Sequence, residues 1–284
     1  MNVMKLFNLR EGSKTCGELG VEVEVEGCNL PYDTKRWDGE QDYSLQGNAR
    51  EFVLRKPMSL LGVYQAVKEL GAAFSDSGAT INDSVRAGVH VHVNMQDSTK
   101  NELFNFIVLY AIFEDVLLRR CGKYRKGNLF CLPLSSSDNV WGAIIEGAKS
   151  NRNLQGFIDN DLRYCAINVV ALGKYGSLEF RAMRTPKRLG RVYQWAKLLL
   201  SMKKSSAKFE NPMCIINTLN SIGIDKFYDE VFGDFKKYLG KQPNLRRQTE
   251  DGVLVASAIA YASDWVDKPV QVRDNPVFAA FDWE

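Results

Sequence analysis

Three short segments of the 284-residue chain alternate between apolar and polar side chains in a way that is typical of β-strands. They are residues 20–26 (GVEVEVE), 88–94 (GVHVHVN) and 177–181 (SLEFR). Side chains at i and i+2 point to the same face of a strand, so each segment places Val, Leu or Phe on one face and polar groups on the other. We therefore predict three strands with apolar backs, which suit a core, and ionisable fronts.

The remaining pattern predicts further elements. Helical spacing is found at 59–74, 99–121, 139–158, 188–205, about 211–240 and about 252–264, and strand-like runs at 17–26, 51–55, 163–171 and 176–183. The last two runs predict an antiparallel hairpin across Gly173–Gly176, and the Gly- and Asp-rich stretch 27–49 predicts a loop. We expect Ser59 to cap its helix, and Asp97 or Ser98 to cap the apolar helix that follows.

The order of these elements predicts an α+β fold with a helical end. Strands and helices mix through the first two thirds of the chain, whereas the last third is almost wholly helical. A charge-rich junction at 203–208 (KKSSAK) separates the two parts. We therefore predict one domain over 1–208 and a helical C-terminal extension over 209–284.

Composition narrows the class of protein. Hydrophobic residues make up 45% and charged residues 25% of the chain, which is ordinary for a globular protein. The net charge of +3 is too small to indicate nucleic-acid binding by bulk charge. The longest apolar segment, 103–113, is too short to span a membrane. The six cysteines form no CxxC pair, and no signal-peptide pattern opens the chain, so we expect free thiols in the cytoplasm.

The polar strand positions carry the candidate chemistry. They are Glu22, Glu24 and Glu26 on the first segment, His90, His92 and Asn94 on the second, and Glu179 and Arg181 on the third. Carboxylates and imidazoles on one sheet face repel or desolvate one another unless something neutralises them. A divalent metal with a polyanionic substrate would do so, with the carboxylates on the ion and the guanidinium on phosphate oxygens.

Each motif also has a simpler explanation when it is taken alone. The glutamates could form a solvated strand face, the two histidines could be surface imidazoles, and Glu179 with Arg181 could be an ordinary ion pair. Glu51, Arg163 and Asn168 carry no signal individually. The basic segment 197–208 is typical of the solvated face of a helix.

Six motifs in order resemble the amidoligase family, which belongs to the carboxylate–amine ligase superfamily of glutamine synthetase and glutamate–cysteine ligase. They are GVEVE, DYS, EFVLxxP, AGVHVHVN, RYxxxN and SLEFR, and together they span about residues 18–200. The resemblance implies a curved antiparallel sheet whose concave face holds ATP and two or more divalent ions, Mg²⁺ or Mn²⁺, with helices on the other side. One departure is the sequence AMRTP after EFR, where the family pattern leads us to expect a Gly-Thr-like turn.

The resemblance also implies roles for single residues. The metal ligands would be Glu22, Glu24, Glu51, His90 and Glu179. The nucleotide would be contacted by His92, Asn94 and Arg181, and catalysis would involve Arg181 and Arg163. Glu26 continues the same face, but the family motif does not require it.

Together these observations predict an ATP- and Mg²⁺-dependent ligase that joins a small-molecule or peptide carboxylate to an amine through an acyl phosphate. Three alternatives stay open: a small-molecule kinase using the same metal face, a metal-dependent hydrolase, and a non-catalytic binding protein with a relic site. The chain has no GxxxxGK[ST] loop and no GxGxxG opening a helix, which argues against P-loop and dinucleotide-binding folds. The sequence leaves the substrates open, and it is compatible with an oligomer.

Overall fold

The computed structural model describes residues 1–122, 125, 127–150, 154 and 160–266. Within them, seven strands form one open, curved, antiparallel sheet. The strands are β1 Leu19–Cys28, β2 Trp37–Gln41, β3 Ala49–Leu54, β4 Thr80–Ile81, β5 Gly88–Asn94, β6 Ile167–Asn168 and β7 Ser177–Arg184. Their order is β2-β3-β1-β5-β7-β6, and β4 pairs with the end of β1. The predicted α+β class and antiparallel sheet are confirmed.

Helices surround this sheet. They are α1 Val3–Leu6, α2 Leu60–Asp76, α3 Lys100–Cys121, α4 Asp138–Lys149, α5 Ala171–Tyr175, α6 Gly190–Ser206, α7 Pro212–Ile222, α8 Ile224–Phe232, α9 Lys236–Leu239 and α10 Leu245–Ala260. Parts of the predicted helix 139–158, and residues 267–284 of the predicted extension, lie outside the described residues. None of the described helices is long and apolar enough to cross a lipid bilayer.

The alternating pattern of the strands is realised as two different faces of the sheet. In β1 the residues from Leu19 to Val25 alternate between buried and half-buried, and the buried ones are apolar. The apolar back packs on α2, α3 and α6. On α3, the rings of Phe106 and Tyr110 lie 5.2 and 5.0 Å from the ring of Phe180 on β7. The core therefore lies behind the sheet, and the polar front stays clear of it.

The two main helix starts show one correct prediction and one error. Ser59 caps α2, because its hydroxyl accepts a hydrogen bond from the backbone N–H of Gly62. The cap of α3 is Thr99, not Asp97 or Ser98. The Thr99 hydroxyl accepts from the N–H of Glu102, and the Glu102 carboxylate accepts from the N–H of Thr99. This reciprocal pair satisfies two free backbone N–H groups at the start of the helix. A single cap at Asp97 or Ser98 would not satisfy both.

Three other boundaries differ from the sequence prediction. The predicted loop 27–49 contains β2, which is held by buried Trp37, whose indole N–H donates to the carbonyl of Ala66. The predicted hairpin is antiparallel, but β6 has only two residues and α5 lies between it and β7. The last of the described helices begins at Leu245, well before the predicted start at about residue 252.

The C-terminal helices pack on the far side of α3. A Cβ atom on Gly252 of α10 would lie 2.1 Å from the carbonyl oxygen of Ala111 on α3, so the two backbones meet directly. On α8, Phe227 stacks on Phe113 of α3 with ring centroids 5.9 Å apart. The predicted boundary between 208 and 209 stays a prediction. The six cysteines are unbridged.

Candidate functional site

The register of the sheet brings distant polar residues side by side on the front. Glu22 on β1 lies opposite His90 on β5, and Glu24 lies opposite Glu51 on β3. Because a strand presents every second side chain to the same face, these pairs occupy neighbouring rows of one surface. The register therefore assembles a cluster that the sequence distributes over three separate motifs.

The pairing of β5 with β7 contains a bulge opposite His90, where β7 carries an extra residue. The fully buried Arg125 fixes this bulge. Its Nε donates to the carbonyl of Ala182 at 2.8 Å, and its Nη2 donates to the carbonyl of Arg181 at 2.6 Å. A bulge re-aims the side chains beside it, so Arg125 contributes to the direction in which the Arg181 side chain leaves β7.

Glu179 is the most heavily engaged carboxylate of the cluster. It lies opposite His92 in the register and is only 5% exposed. Its Oε1 accepts from Nη1 of Arg181 and lies 3.6 Å from Nδ1 of His90, while its Oε2 accepts from Nδ2 of Asn168 at 2.5 Å. Burial disfavours the charged form, but the positive charges of His92, His90 and Arg181 hold the pKa of Glu179 below its ordinary value. Glu179 is therefore an oriented, ionised carboxylate.

Glu22 bridges the two histidines. One of its oxygens lies 3.0 Å from Nδ1 of His90 and the other 3.3 Å from Nε2 of His92. The second nitrogen of His92 lies 3.1 Å from the hydroxyl of Ser177. Burial works against ionisation of Glu22, but the hydrogen bonds with both imidazoles outweigh it and lower its pKa. His90 is 4% exposed, so the interpretation of this histidine as a surface imidazole is wrong.

The cluster holds more negative charge than its neighbours neutralise. Burial raises the pKa of Glu51 to about 7, and the negative charges of Glu22, Glu24 and Asp42 act in the same direction. Nearby, one oxygen of Glu24 accepts from the N–H of Gly88 at 2.7 Å and the other lies 3.5 Å from Nε2 of His90. A bound cation would favour the ionised form of Glu51 against both its burial and the neighbouring carboxylates.

Two sets of donor atoms have the spacing that a metal ion needs. Atoms of Glu22, Glu51 and His90 all lie within 4.8 Å of one another, and so do atoms of Glu22, His92 and Glu179. Atoms up to that separation can share one cation at bond lengths near the long end of the range for hard divalent ions, about 2.6 Å, whereas Mg²⁺, at about 2.0–2.1 Å, would draw its ligands to within about 4.2 Å of one another. Glu22 belongs to both sets, so the structure offers two adjoining candidate sites. It also makes His92, which the resemblance assigned to the nucleotide, a possible ligand.

Two predicted residues make their hydrogen bonds outside the donor sets, although Asn94 also lines the cavity beside the cluster. Nδ2 of Asn94 donates to the backbone carbonyls of Thr15 and Gly17, so this amide holds the N-terminal segment against β5. Arg163 is exposed in the short 3₁₀ turn Asn160–Tyr164, with its guanidinium 4.7 Å from the ring centroid of Tyr164. In the part of the chain that the structure describes, its contacts are with Tyr164, not with the cluster. The nucleotide role of Asn94 and the catalytic role of Arg163 stay predictions.

A cavity of about 220 Å³ adjoins the cluster. Its lining includes Glu22 and His92 from the cluster, with Lys56, Tyr175 and Ser177 around them. The ring of Tyr175 meets the edge of the His92 ring at a centroid distance of 5.6 Å. The cavity thus combines a cationic side chain, an aromatic ring and one end of the metal-ligand candidates, which suits a small polar substrate.

Sequence reasoning undervalued two residues of this site. Ser177 stands two positions before Glu179 on the same strand face, so the i, i+2 rule could have assigned it to the front. Asn168 gave no local signal, because its contact with Glu179 depends on the pairing of β6 with β7. Only the sheet register shows it.

Comparison with known families adds an independent finding. A family model described as "putative amidoligase enzyme" matches residues 54–202, more than half of the chain. The chain belongs to the amidoligase family. The matched segment includes β5 and β7, and therefore the histidines and Glu179, whereas Glu22, Glu24 and Glu51 precede it. The amidoligase match thus covers His90, His92, Glu179 and Arg181, and the sheet places the three preceding glutamates beside them. No curated protein matches the chain.

Proposed function

We propose that the protein is an ATP- and Mg²⁺-dependent ligase that joins a carboxylate to an amine through an acyl phosphate. The observation that carries the proposal is the convergence of four carboxylates, two imidazoles and one guanidinium on a single sheet face. They are Glu22, Glu24, Glu51, Glu179, His90, His92 and Arg181. Membership of the amidoligase family supports a ligase-type enzyme.

The two donor sets fit two divalent ions. Glu22 would be shared, with Glu51 and His90 completing one set and His92 and Glu179 the other. The raised pKa of Glu51 is consistent with this fit, because a cation would offset the burial and the neighbouring negative charges that disfavour its ionised form. Bound Mg²⁺ or Mn²⁺ would neutralise both these carboxylates and the phosphate oxygens of ATP.

The proposed reaction has two steps. First, a carboxylate oxygen of the acid substrate attacks the γ-phosphorus of ATP; a P–O bond forms as the bond to ADP breaks. Second, the amine nitrogen attacks the acyl carbon, a C–N bond forms, the C–O bond to phosphate breaks, and the nitrogen loses a proton. In-line phosphoryl transfer needs positioning and charge stabilisation more than covalent help from the protein.

Among the described residues, Arg181 is the one best placed to supply that stabilisation. Its guanidinium is anchored through Nη1 to Glu179, and its buried Nε has no partner among the described residues. A fixed, planar cation suits the oxygens of a transferring phosphoryl group. Asn168 holds the other oxygen of Glu179, so it would position this ion pair.

The test is a screen of amino-acid and amine pairs for ADP release with Mg²⁺ and ATP, with products identified by mass spectrometry. Glu22→Gln and Glu179→Gln should each abolish ATP-dependent turnover. Glu26→Gln is the matched control, because Glu26 lies on the same face of β1 but belongs to neither donor set. It should keep most of the activity.

Four results would contradict the proposal. Unchanged turnover in both cluster variants would show that the cluster takes no part in the reaction. A stable phosphorylated product without amide formation would indicate a kinase, and turnover without ATP a hydrolase. Calorimetry that detects no binding of Mn²⁺ or of a non-hydrolysable ATP analogue would indicate a relic site.

A further inference from the structure

A second concave region lies where the end of α3 meets the start of α6 and the segment around α9. We call it the basic groove. The cationic side chains that line it are Arg119, Arg120, Arg188, Arg191, Lys237 and Lys241. The groove has a volume of about 750 Å³, and its described lining contains no carboxylate. It therefore concentrates positive charge from three separate elements around one space.

Most of these charges lack a countercharge. Arg119 lies 3.3 Å from Asp115, and Lys237 lies over the ring of Tyr238. By contrast, the side chains of Arg120, Arg188 and Arg191 make no hydrogen bond or ion pair within the described ranges. Clustered guanidinium groups without anions repel one another, so a bound anion would relieve an unfavourable arrangement.

The environment of Arg120 supports this description. Its side chain is half-buried at the end of α3. Burial lowers the pKa of Arg120 below its ordinary value, and the positive charge of Arg191 lowers it further. Arg120 and Arg191 also line the same space, so one multiply charged ligand could contact both.

We infer that the basic groove binds a small molecule with several phosphate groups, at a site separate from the carboxylate cluster. Arginine side chains form paired hydrogen bonds with phosphate oxygens, and a volume of this size falls in the range of roughly 300–1,000 Å³ that is usual for small-molecule sites. The net charge of +3 provides no general attraction for a nucleic-acid backbone, which favours a compact ligand. None of the cluster residues lines the groove.

A neighbouring cavity of about 450 Å³ shares Arg120, Arg188 and Arg191 with the groove and extends towards Thr185. The hydroxyl of Thr185 donates to the backbone carbonyls of Glu24 and Gly88. A ligand in the groove would thus lie close to the segment that leaves β7, whose Thr185 side chain is hydrogen-bonded to two strands of the cluster.

The test measures binding of inorganic tripolyphosphate by calorimetry in metal-free buffer, so that the cluster cannot hold phosphate through a metal. Wild type is compared with the double variant Arg188→Glu/Arg191→Glu. The matched control is Lys204→Glu/Lys208→Glu, which makes the same charge change at exposed positions at the other end of α6. We expect one bound ligand in wild type, a loss of affinity of about tenfold or more in the groove variant, and a change of less than about twofold in the control.

Thermal unfolding gives a second measurement, because a ligand that binds the folded state raises the melting temperature. Tripolyphosphate should raise the melting temperature of wild type and of the control variant but not that of the groove variant. If the Arg188→Glu/Arg191→Glu protein does not fold, Arg188→Gln/Arg191→Gln takes its place. Three results would overturn the inference. Tripolyphosphate could bind equally weakly to both double variants, it could fail to bind to wild type, or citrate could bind to wild type as tightly as tripolyphosphate does. A single-stranded oligonucleotide that binds far more tightly than tripolyphosphate would overturn the assignment to a small ligand.

Discussion

Glu22 is the residue on which both candidate metal sites depend, because its two oxygens face His90 and His92 separately. Glu51, in contrast, belongs to one donor set only. We therefore expect two Mn²⁺ ions per wild-type chain, one in Glu51→Gln, and none at comparable affinity in Glu22→Gln. Electron paramagnetic resonance of free Mn²⁺ during a titration measures this stoichiometry. Equal losses in the two variants would contradict the shared-ligand arrangement.

Glu114 is a buried carboxylate outside the cluster, on α3, and it provides a test of stability against pH. Burial raises its pKa to about 7, although hydrogen bonds from the backbone N–H groups of Leu134 and Ser135 favour the charged form. The ordinary pKa is 4.5, so the folded state binds the proton more tightly than the unfolded state does. The stabilisation is fully present below the unfolded pKa and is lost as pH rises through about 7.

Glu114→Gln removes this dependence, since an amide stays neutral. Relative to wild type, the variant should gain on the order of 3 kcal/mol of unfolding free energy between about pH 4 and about pH 8. Urea unfolding of both proteins across that range measures the difference, and all other titrating groups cancel in it. A difference that stays constant with pH would show that Glu114 keeps its ordinary pKa in the folded state.

At the scale of elements, the start of α3 is a test of the capping pair. Thr99→Ala removes the hydroxyl that accepts from the Glu102 N–H, and we expect a loss of about 1 kcal/mol of unfolding free energy. Asp97→Ala is the control, because the one side-chain contact of Asp97 within the described residues is an exposed ion pair with Lys14, and its loss should cost about 0–1 kcal/mol. Chemical denaturation followed by circular dichroism measures both. A larger loss of unfolding free energy in the Asp97 variant would indicate that Asp97 caps α3, as the sequence suggested.

Elements with a regular local pattern were predictable from the sequence. Residues 88–94 form β5 with the predicted bounds, because alternating valines need one buried face whatever the rest of the fold is. The same rule predicted that His90 and His92 share a face. By contrast, β2 depends on Trp37 reaching the carbonyl of Ala66 in α2, and no local pattern reports that contact.

The candidate site was predictable in its residue types but not in its arrangement. The i, i+2 spacing within each motif indicated which side chains face forward, and the order of motifs indicated the family. Three features of the arrangement depend on partners that are far away in the sequence. They are the bulge opposite His90, the hydrogen bonds of Arg125 that support it, and the contact of Asn168 with Glu179. Periodicity describes one strand at a time, so it cannot report the register between strands.

At the scale of the whole molecule, α3 is the central element, since the sheet covers one side of it and the C-terminal helices cover the other. Phe106 and Tyr110 face β7, whereas Ala111 meets Gly252 of α10. A helix that is apolar nearly all round has to be covered on both sides. The helices after residue 208 therefore complete the burial of α3, and we expect the described parts of the chain to unfold together.

The contact between α10 and α3 makes this expectation testable. Gly→Ala in a helix normally stabilises by about 0.5–1 kcal/mol, and Gly71→Ala in α2 should do so, because beyond its own stretch of helix no heavy atom of the described residues lies within 4 Å of the added Cβ. Gly252→Ala should have the opposite sign and cost about 1–3 kcal/mol, because its Cβ would force α10 away from the Ala111 carbonyl. Equilibrium unfolding in urea, followed by circular dichroism and tryptophan fluorescence, measures both effects. The central role of α3 predicts one unfolding transition for both signals, and this transition should move to lower urea concentration in the Gly252→Ala variant. A Gly252→Ala variant that is more stable than wild type, or two separate transitions, would contradict it.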